Sequence, residues 1–393
     1  MPLMTIEEAH PPPRRVVALF ALGFRPFYLL AAAFAALGVP LWVAAQSGWP
    51  LSARIDLQWH MHEMVFGFAV AVVVGFLYTA AHAWTRLWTP RGARLAAIAA
   101  VWVAGRVAML VAPLPLAAAI DMLFLPLAAL PLYRVLKQSG NRRNLFLAGL
   151  LGLLALSNAV YHAAVLGWLR SDPLKAINAA IMMIVVIEVV IGGRVIPMFT
   201  RNAAAGASPV QHAGRDRLAL VLTALAGAAW AGGLAPAPTA GLALAAAAAQ
   251  GARLAGWQPW RTWRNPLLWI LHVSYAWIPL GLLALALAEY GLVTQSAALH
   301  LLAVGALGGL IIGMITRTAL GHTGRPLHAG RAEILMFLLV QAAVVLRFAA
   351  AVLPSWRSPC LVLAAACWSA AFLAYLVVYL PYLSSPRADG REG

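Results

Sequence analysis

Trp59-His60-Met61-His62-Glu63-Met64 sets three ionisable side chains at the mouth of an uncharged apolar run, Val65 to Ala81. Ionisable groups beside hydrocarbon are costly, so their presence there needs a reason. Imidazole is the commonest ligand for haem iron and copper, and the Met thioether suits Cu(I). The stretch points to a redox or metal site at one face of a membrane.

Helical geometry constrains that site. On a regular helix His60 and His62 project about 200° apart. His60 shares its face with Glu63 and Met64. Either the first turn is irregular, or the two histidines serve different sites, with one on a haem iron and the other on a second metal. Glu63 is placed to orient a ligating imidazole, as carboxylates commonly do. His162 and His300 fall near the same membrane face, so His60, His62, His162 and His300 are the candidate ligands, with Glu63 beside them. His82, His272 and His322 lie towards the opposite face and are secondary candidates, with Glu188 and Arg194. Arg25 and Arg106 could neutralise haem propionates. Asp121 and Arg347 are further ionisable residues inside apolar runs. Glu188 and Arg194 lie six apart on one helix, so each is expected to reach for a partner on another helix.

The elements that carry these residues are transmembrane helices. Hydrophobic residues make up 63% of the chain and charged ones 10%. Apolar stretches of the roughly 20 residues needed to cross a bilayer recur along its whole length. About twelve are expected: 22–46, 59–83, 93–112, 113–137, 144–169, 173–200, 217–235, 236–258, 266–290, 296–320, 328–353 and 359–382. The fold class is an all-α polytopic bundle, a single integral membrane domain over 1–393. The net charge of +16 follows topology. Arg14, Arg86, Arg134, Arg142, Arg201, Arg215, Arg261, Arg325 and Arg387 fall on one side, against Arg54, Arg170, Lys175 and Arg357 on the other. This positive-inside pattern puts both termini in the cytoplasm and removes the need for a nucleic-acid partner. The first 21 residues lack a cleaved signal-peptide pattern, and Pro11-Pro12-Pro13 reads as a stiff cytoplasmic lead-in. Cys360 and Cys367, about 10 Å apart on one helix, form no disulfide.

An internal repeat is visible. Gly192-Gly193-Arg194-Val195-Ile196-Pro197-Met198-Phe199-Thr200-Arg201 closes the sixth span. Gly308-Gly309-Leu310-Ile311-Ile312-Gly313-Met314-Ile315-Thr316-Arg317 closes the tenth with both glycines, an Ile, the Met, the Thr and the Arg in register. The unit is four helices, giving suspected parallel repeats over 1–140, 141–260 and 261–385. Gly305, Gly309 and Gly313 make a small-residue face, read first as close helix packing and second as a flat surface for a porphyrin.

The chain resembles the NnrS family. The matching pieces are Gly23-Phe24-Arg25-Pro26-Phe27-Tyr28-Leu29, then Trp59-His60-Met61-His62-Glu63-Met64-Val65-Phe66-Gly67-Phe68. Further on come Gly193-Arg194-Val195-Ile196-Pro197-Met198-Phe199-Thr200-Arg201-Asn202 and Met314-Ile315-Thr316-Arg317-Thr318-Ala319-Leu320-Gly321-His322-Thr323-Gly324-Arg325. The resemblance implies a bacterial inner-membrane protein carrying haem and copper, acting in the nitric-oxide response and protecting against nitrosative stress. Its partners would be the lipid bilayer and nitric oxide or a related small molecule. The alternative is a transporter or channel for a small molecule, metal or haem, which needs broken helices around a midplane path. Gly192-Gly193 and Pro197 could break the sixth span. A respiratory haem-copper oxidase relationship fits the span number but lacks a His-His pair and a His-Pro-Glu run.

Overall fold

The computed structural model describes residues 16–49 and 54–392. His10, the Pro11-Pro12-Pro13 lead-in and Arg14 lie outside the described residues. Twelve long helices run in antiparallel succession: α1 (Phe24–Gln46), α2 (Leu57–Thr85), α3 (Ala93–Val111), α4 (Leu114–Gln138), α5 (Arg142–Val165), α6 (Pro173–Ala203), α7 (Ala213–Gly232), α8 (Pro236–Gly256), α9 (Pro266–Ala288), α10 (Gln295–His322), α11 (Arg331–Val352) and α12 (Arg357–Ser384). No strand occurs among the described residues. Ten of the helices are long and apolar enough to cross a membrane; α7 and α8 are not among them. Their Ala- and Gly-rich sequences, with Arg215, Asp216 and Arg217 at the start of α7 and Arg253 near the finish of α8, keep their hydropathy low.

Successive helices pack side by side, and α1 packs against α12 to close the bundle. The most deeply enclosed helices are α2, α6 and α10, whose apolar windows are 78%, 67% and 72% buried. Each begins with a side chain that satisfies an otherwise unbonded first-turn amide. Asp56 accepts from Trp59 N at 2.8 Å, Asp172 from Leu174 N at 2.9 Å, and Thr294 from Ala297 N at 3.1 Å. These starts define the far end of the bundle. The end where α1 begins and α12 finishes is called the terminal end below.

Two helices change pitch just beyond their far-end histidines. In α2 the stretch Glu63–Ala69 is π-helical, directly after His62; in α10 Leu301–Gly308 is π-helical, directly after His300. The wider i→i+5 turn loosens the backbone ladder and is common at functional sites. Trp102 Nε1 donates to the Gly67 carbonyl at 3.1 Å, giving one carbonyl of the α2 π stretch a side-chain partner.

Helix α6 is unbroken through Gly192, Gly193 and Pro197. Proline has no N–H for the Gly193 carbonyl one turn earlier. Gln211 Nε2 reaches back from the following loop and donates to that carbonyl at 2.9 Å. Gly193 itself lets the Arg253 guanidinium of α8 lie directly on the α6 backbone. Arg253 then donates to Val189 O at 2.8 Å, to Tyr275 Oη at 2.9 Å and to Asp216 Oδ1 at 3.0 Å, tying α6, α7, α8 and α9 together. This polar network accounts for the inward polar groups of the two least apolar helices.

Candidate metal centre at the far end

Four helices bring a polar cluster together at the far end. His62 and Glu63 come from α2, Arg106 from α3, Asp121 from α4, and Asn158 and His162 from α5. His62, Glu63, Asp121 and His162 are each no more than 3% exposed. His62 Nδ1 is 2.9 Å from Glu63 Oε1, and its Nε2 is 2.9 Å from Asn158 Oδ1. His162 Nε2 meets Asp121 Oδ2 at 2.9 Å, and Asn158 Nδ2 donates to the same oxygen at 2.7 Å. Arg106 donates to Glu63 Oε1 at 2.7 Å through Nη1 and to Asp121 Oδ1 through Nη2. The His62 ring stacks on Tyr161 at 4.5 Å, with Phe66 at 5.1 Å on another side.

Ligand atoms of His62, Asp121 and His162 all lie within 4.8 Å of one another. Two imidazoles and a carboxylate are a donor set that copper accepts. Charge supports the same reading. With both carboxyls ionised, Glu63 and Asp121 outweigh Arg106 by a single negative charge. A buried uncompensated charge is strongly unfavourable. A proton on His62 or a monovalent cation such as Cu(I) neutralises the cluster. Glu63 Oε2 and Arg106 Nε are buried with no hydrogen-bond partner, so the cluster is incompletely satisfied as it stands. The residues therefore fit a bound metal ion.

His60 faces elsewhere. Its ring stacks on Trp42 at 4.3 Å, and its Nδ1 has no partner. His300 of α10 and Arg347 of α11 are within electrostatic reach of it. His300 Nδ1 donates to Ser296 O at 2.6 Å, which leaves Nε2 as the acceptor nitrogen of the neutral tautomer. Arg347 Nη2 donates to Ser296 Oγ at 2.8 Å. The four far-end histidines thus separate: His62 and His162 share the cluster, and His60 and His300 lie outside it. Glu63, expected on the His60 side, bonds to its neighbour His62 instead.

The remaining candidates are dispersed. Arg25 lies at the terminal end, donating to Leu383 O at 2.9 Å and Ser385 O at 2.7 Å. Arg106 is committed to its two carboxylates. His82 stacks on Trp88 at 4.0 Å, and His322 lies 5.6 Å from the Phe24 ring, both at the terminal end. His272 bonds Leu268 O at 3.0 Å and Thr200 Oγ1 at 3.2 Å. Arg194 finds Asn144 of α5 at 2.6 Å, whereas Glu188 finds no partner among the described residues. The small-residue face of α10 is already filled: a Cβ on Gly305, Gly309 or Gly313 would meet Trp277, Ser274 or Leu271. That face serves helix packing and leaves no room for a porphyrin.

Asp121 and Asn158 are the residues that sequence reasoning did not assign to the site. Their signals were present: Asp121 is the lone acid of α4, and Asn158 lies one turn before His162 on the same face of α5.

A family model described as NnrS protein matches residues 18–387. No curated protein matches the chain.

Proposed function

The chain belongs to the NnrS family of membrane proteins of the nitric-oxide response, and from this premise we propose that its far-end cluster is a copper centre protecting against nitrosative stress. The observation that carries the reading is the buried His62–Asp121–His162 donor set, whose ligand atoms lie within 4.8 Å of one another.

Bound copper would supply a one-electron centre able to take nitric oxide. The chain's own residues do the positioning. Arg106 fixes both carboxylates from one side and offsets part of their charge. Asn158 bridges Asp121 and His62, so the two ligands move as a unit. Tyr161 and Phe66 cover the His62 ring and exclude water, which strengthens every electrostatic interaction behind them. His60 and His300 are the residues that would hold haem iron, with Arg347 as the cation for its propionates. The Ser296 carbonyl that orients the His300 ring fits that role.

The transport alternative loses its basis in the sixth span, since α6 is continuous. Metal analysis and optical spectroscopy of the purified protein test the proposal. Copper should fall sharply in His62→Ala/His162→Ala, and the Soret band should fall in His60→Ala/His300→Ala. Wild-type protein with neither copper nor a Soret band would overturn it, as would full copper content in the first double variant.

A further inference from the structure

A cavity of about 80 Å³ lies at mid-depth of the bundle, bordered by α1, α2, α6, α9 and α10. Val73, Phe76, Ile187, Ile191 and Leu310 typify its lining. Only Glu188, Tyr28 and Met314 among the lining side chains carry a heteroatom. Both Glu188 carboxyl oxygens are closed to solvent, and neither has a hydrogen-bond partner among the described residues.

The neighbouring cations are committed elsewhere. Arg253 is held by Asp216, Val189 O and Tyr275, and Arg194 by Asn144. Tyr275, whose ring lies against Gly192 of the same cavity wall, donates its hydroxyl to Gln250 Oε1 at 2.6 Å. An ionised carboxylate without a partner in such surroundings neutralises itself. The Glu188 side chain is then a carboxylic acid with an O–H donor and nothing to donate to. Water is a poor occupant, because it needs two to four polar partners and the lining offers few.

We propose that this cavity is a docking pocket for a small, uncharged, lipid-soluble molecule, held by a hydrogen bond from the Glu188 carboxyl. The pocket lies apart from the far-end ligands, and its ligand class follows from its apolar lining around one unpartnered carboxyl. Only the identification of the natural occupant as nitric oxide rests on the copper-centre reading.

Difference infrared spectroscopy of the full-length protein in lipid nanodiscs tests it, comparing argon with nitric oxide. A carboxylic-acid carbonyl band should be present, disappear in Glu188→Gln, and shift reversibly when nitric oxide is added. Val73→Phe, which fills the cavity, should keep the band and lose the shift; Ile311→Phe serves the same purpose if that variant does not assemble. The shift should be identical before and after copper is removed with a chelator. Three results would overturn the proposal: no acid band that depends on Glu188, a band indifferent to the gas, or a shift that survives filling the cavity. A shift that vanishes with copper would place the gas at the far-end centre and overturn the pocket while leaving the copper reading intact.

Discussion

His62 and His162 stand edge to face with ring centroids 5.2 Å apart, although they come from helices that are far apart in the chain. Asp121 lies between them, 2.9 Å from His162 Nε2 and 3.4 Å from His62 Nε2. A single ion placed among these groups would replace hydrogen bonds they now make with one another. Asp121→Asn keeps the size of the side chain and removes the charge. It should lower copper affinity at least tenfold, on the scale seen when a metal site loses a supporting carboxylate. Competition titration against a chelator of known affinity measures this.

Arg106 holds two buried carboxylates, and losing it leaves both uncompensated. Arg106→Met should destabilise the protein by about 3–5 kcal/mol, the usual cost of breaking a buried ion pair from one side. Arg106→Met/Glu63→Gln removes one charge of each sign and should recover part of that loss. Thermal unfolding midpoints in one detergent compare the three proteins.

Because His60 and His62 address different neighbours, their variants should separate. His60→Ala is expected to change the haem spectrum and leave copper content unchanged; His62→Ala should do the reverse. Parallel copper and iron analysis of the two variants is the check. Equal loss of both metals in both variants would show that the two histidines serve one centre.

Gln211 completes the proline turn of α6 from outside the helix. Gln211→Ala leaves the Gly193 carbonyl without that partner, at a cost of about 1–3 kcal/mol. Local opening of α6 around Pro197, seen as faster amide exchange at residues 198–201, should accompany the lower stability.

The tail after α12 is clasped to the terminal end. Arg387 donates to Asp389 at 2.9 and 2.6 Å and to His322 O at 2.9 Å, while Ala388 N bonds Thr323 O at 2.9 Å. The Arg387 hydrogen bond holds the Asp389 carboxyl well below the usual carboxylate range. A carboxyl depressed in the folded state contributes its stabilisation above the unfolded value of about 4 and loses it as pH falls through the folded value. The clasp should therefore be unchanged from neutrality down to about pH 4 and release only in stronger acid. Asp389→Asn should loosen it at every pH. A spin label at Ala388 reports the mobility.

The helical bundle and its far-end histidines are legible in the sequence because both depend on local properties, apolar run length and residue type. The separation of His60 from His62 also follows from helical pitch alone. The centre itself was not legible, because Asp121 and Asn158 join it only through the packing of α4 and α5 against α2. In α7 and α8 low hydropathy hid an inward polar face that only Arg253, Gln250 and Tyr275 together explain.

The π stretches of α2 and α10 have a mechanical consequence. Each begins directly after a far-end histidine and ends near the level of the central cavity. Reverting such a stretch to α pitch would turn everything on one side of it by about 100° relative to the other for each residue taken up. The two segments are therefore the places where otherwise regular helices change the direction in which their side chains face, between the far-end histidines and the central cavity.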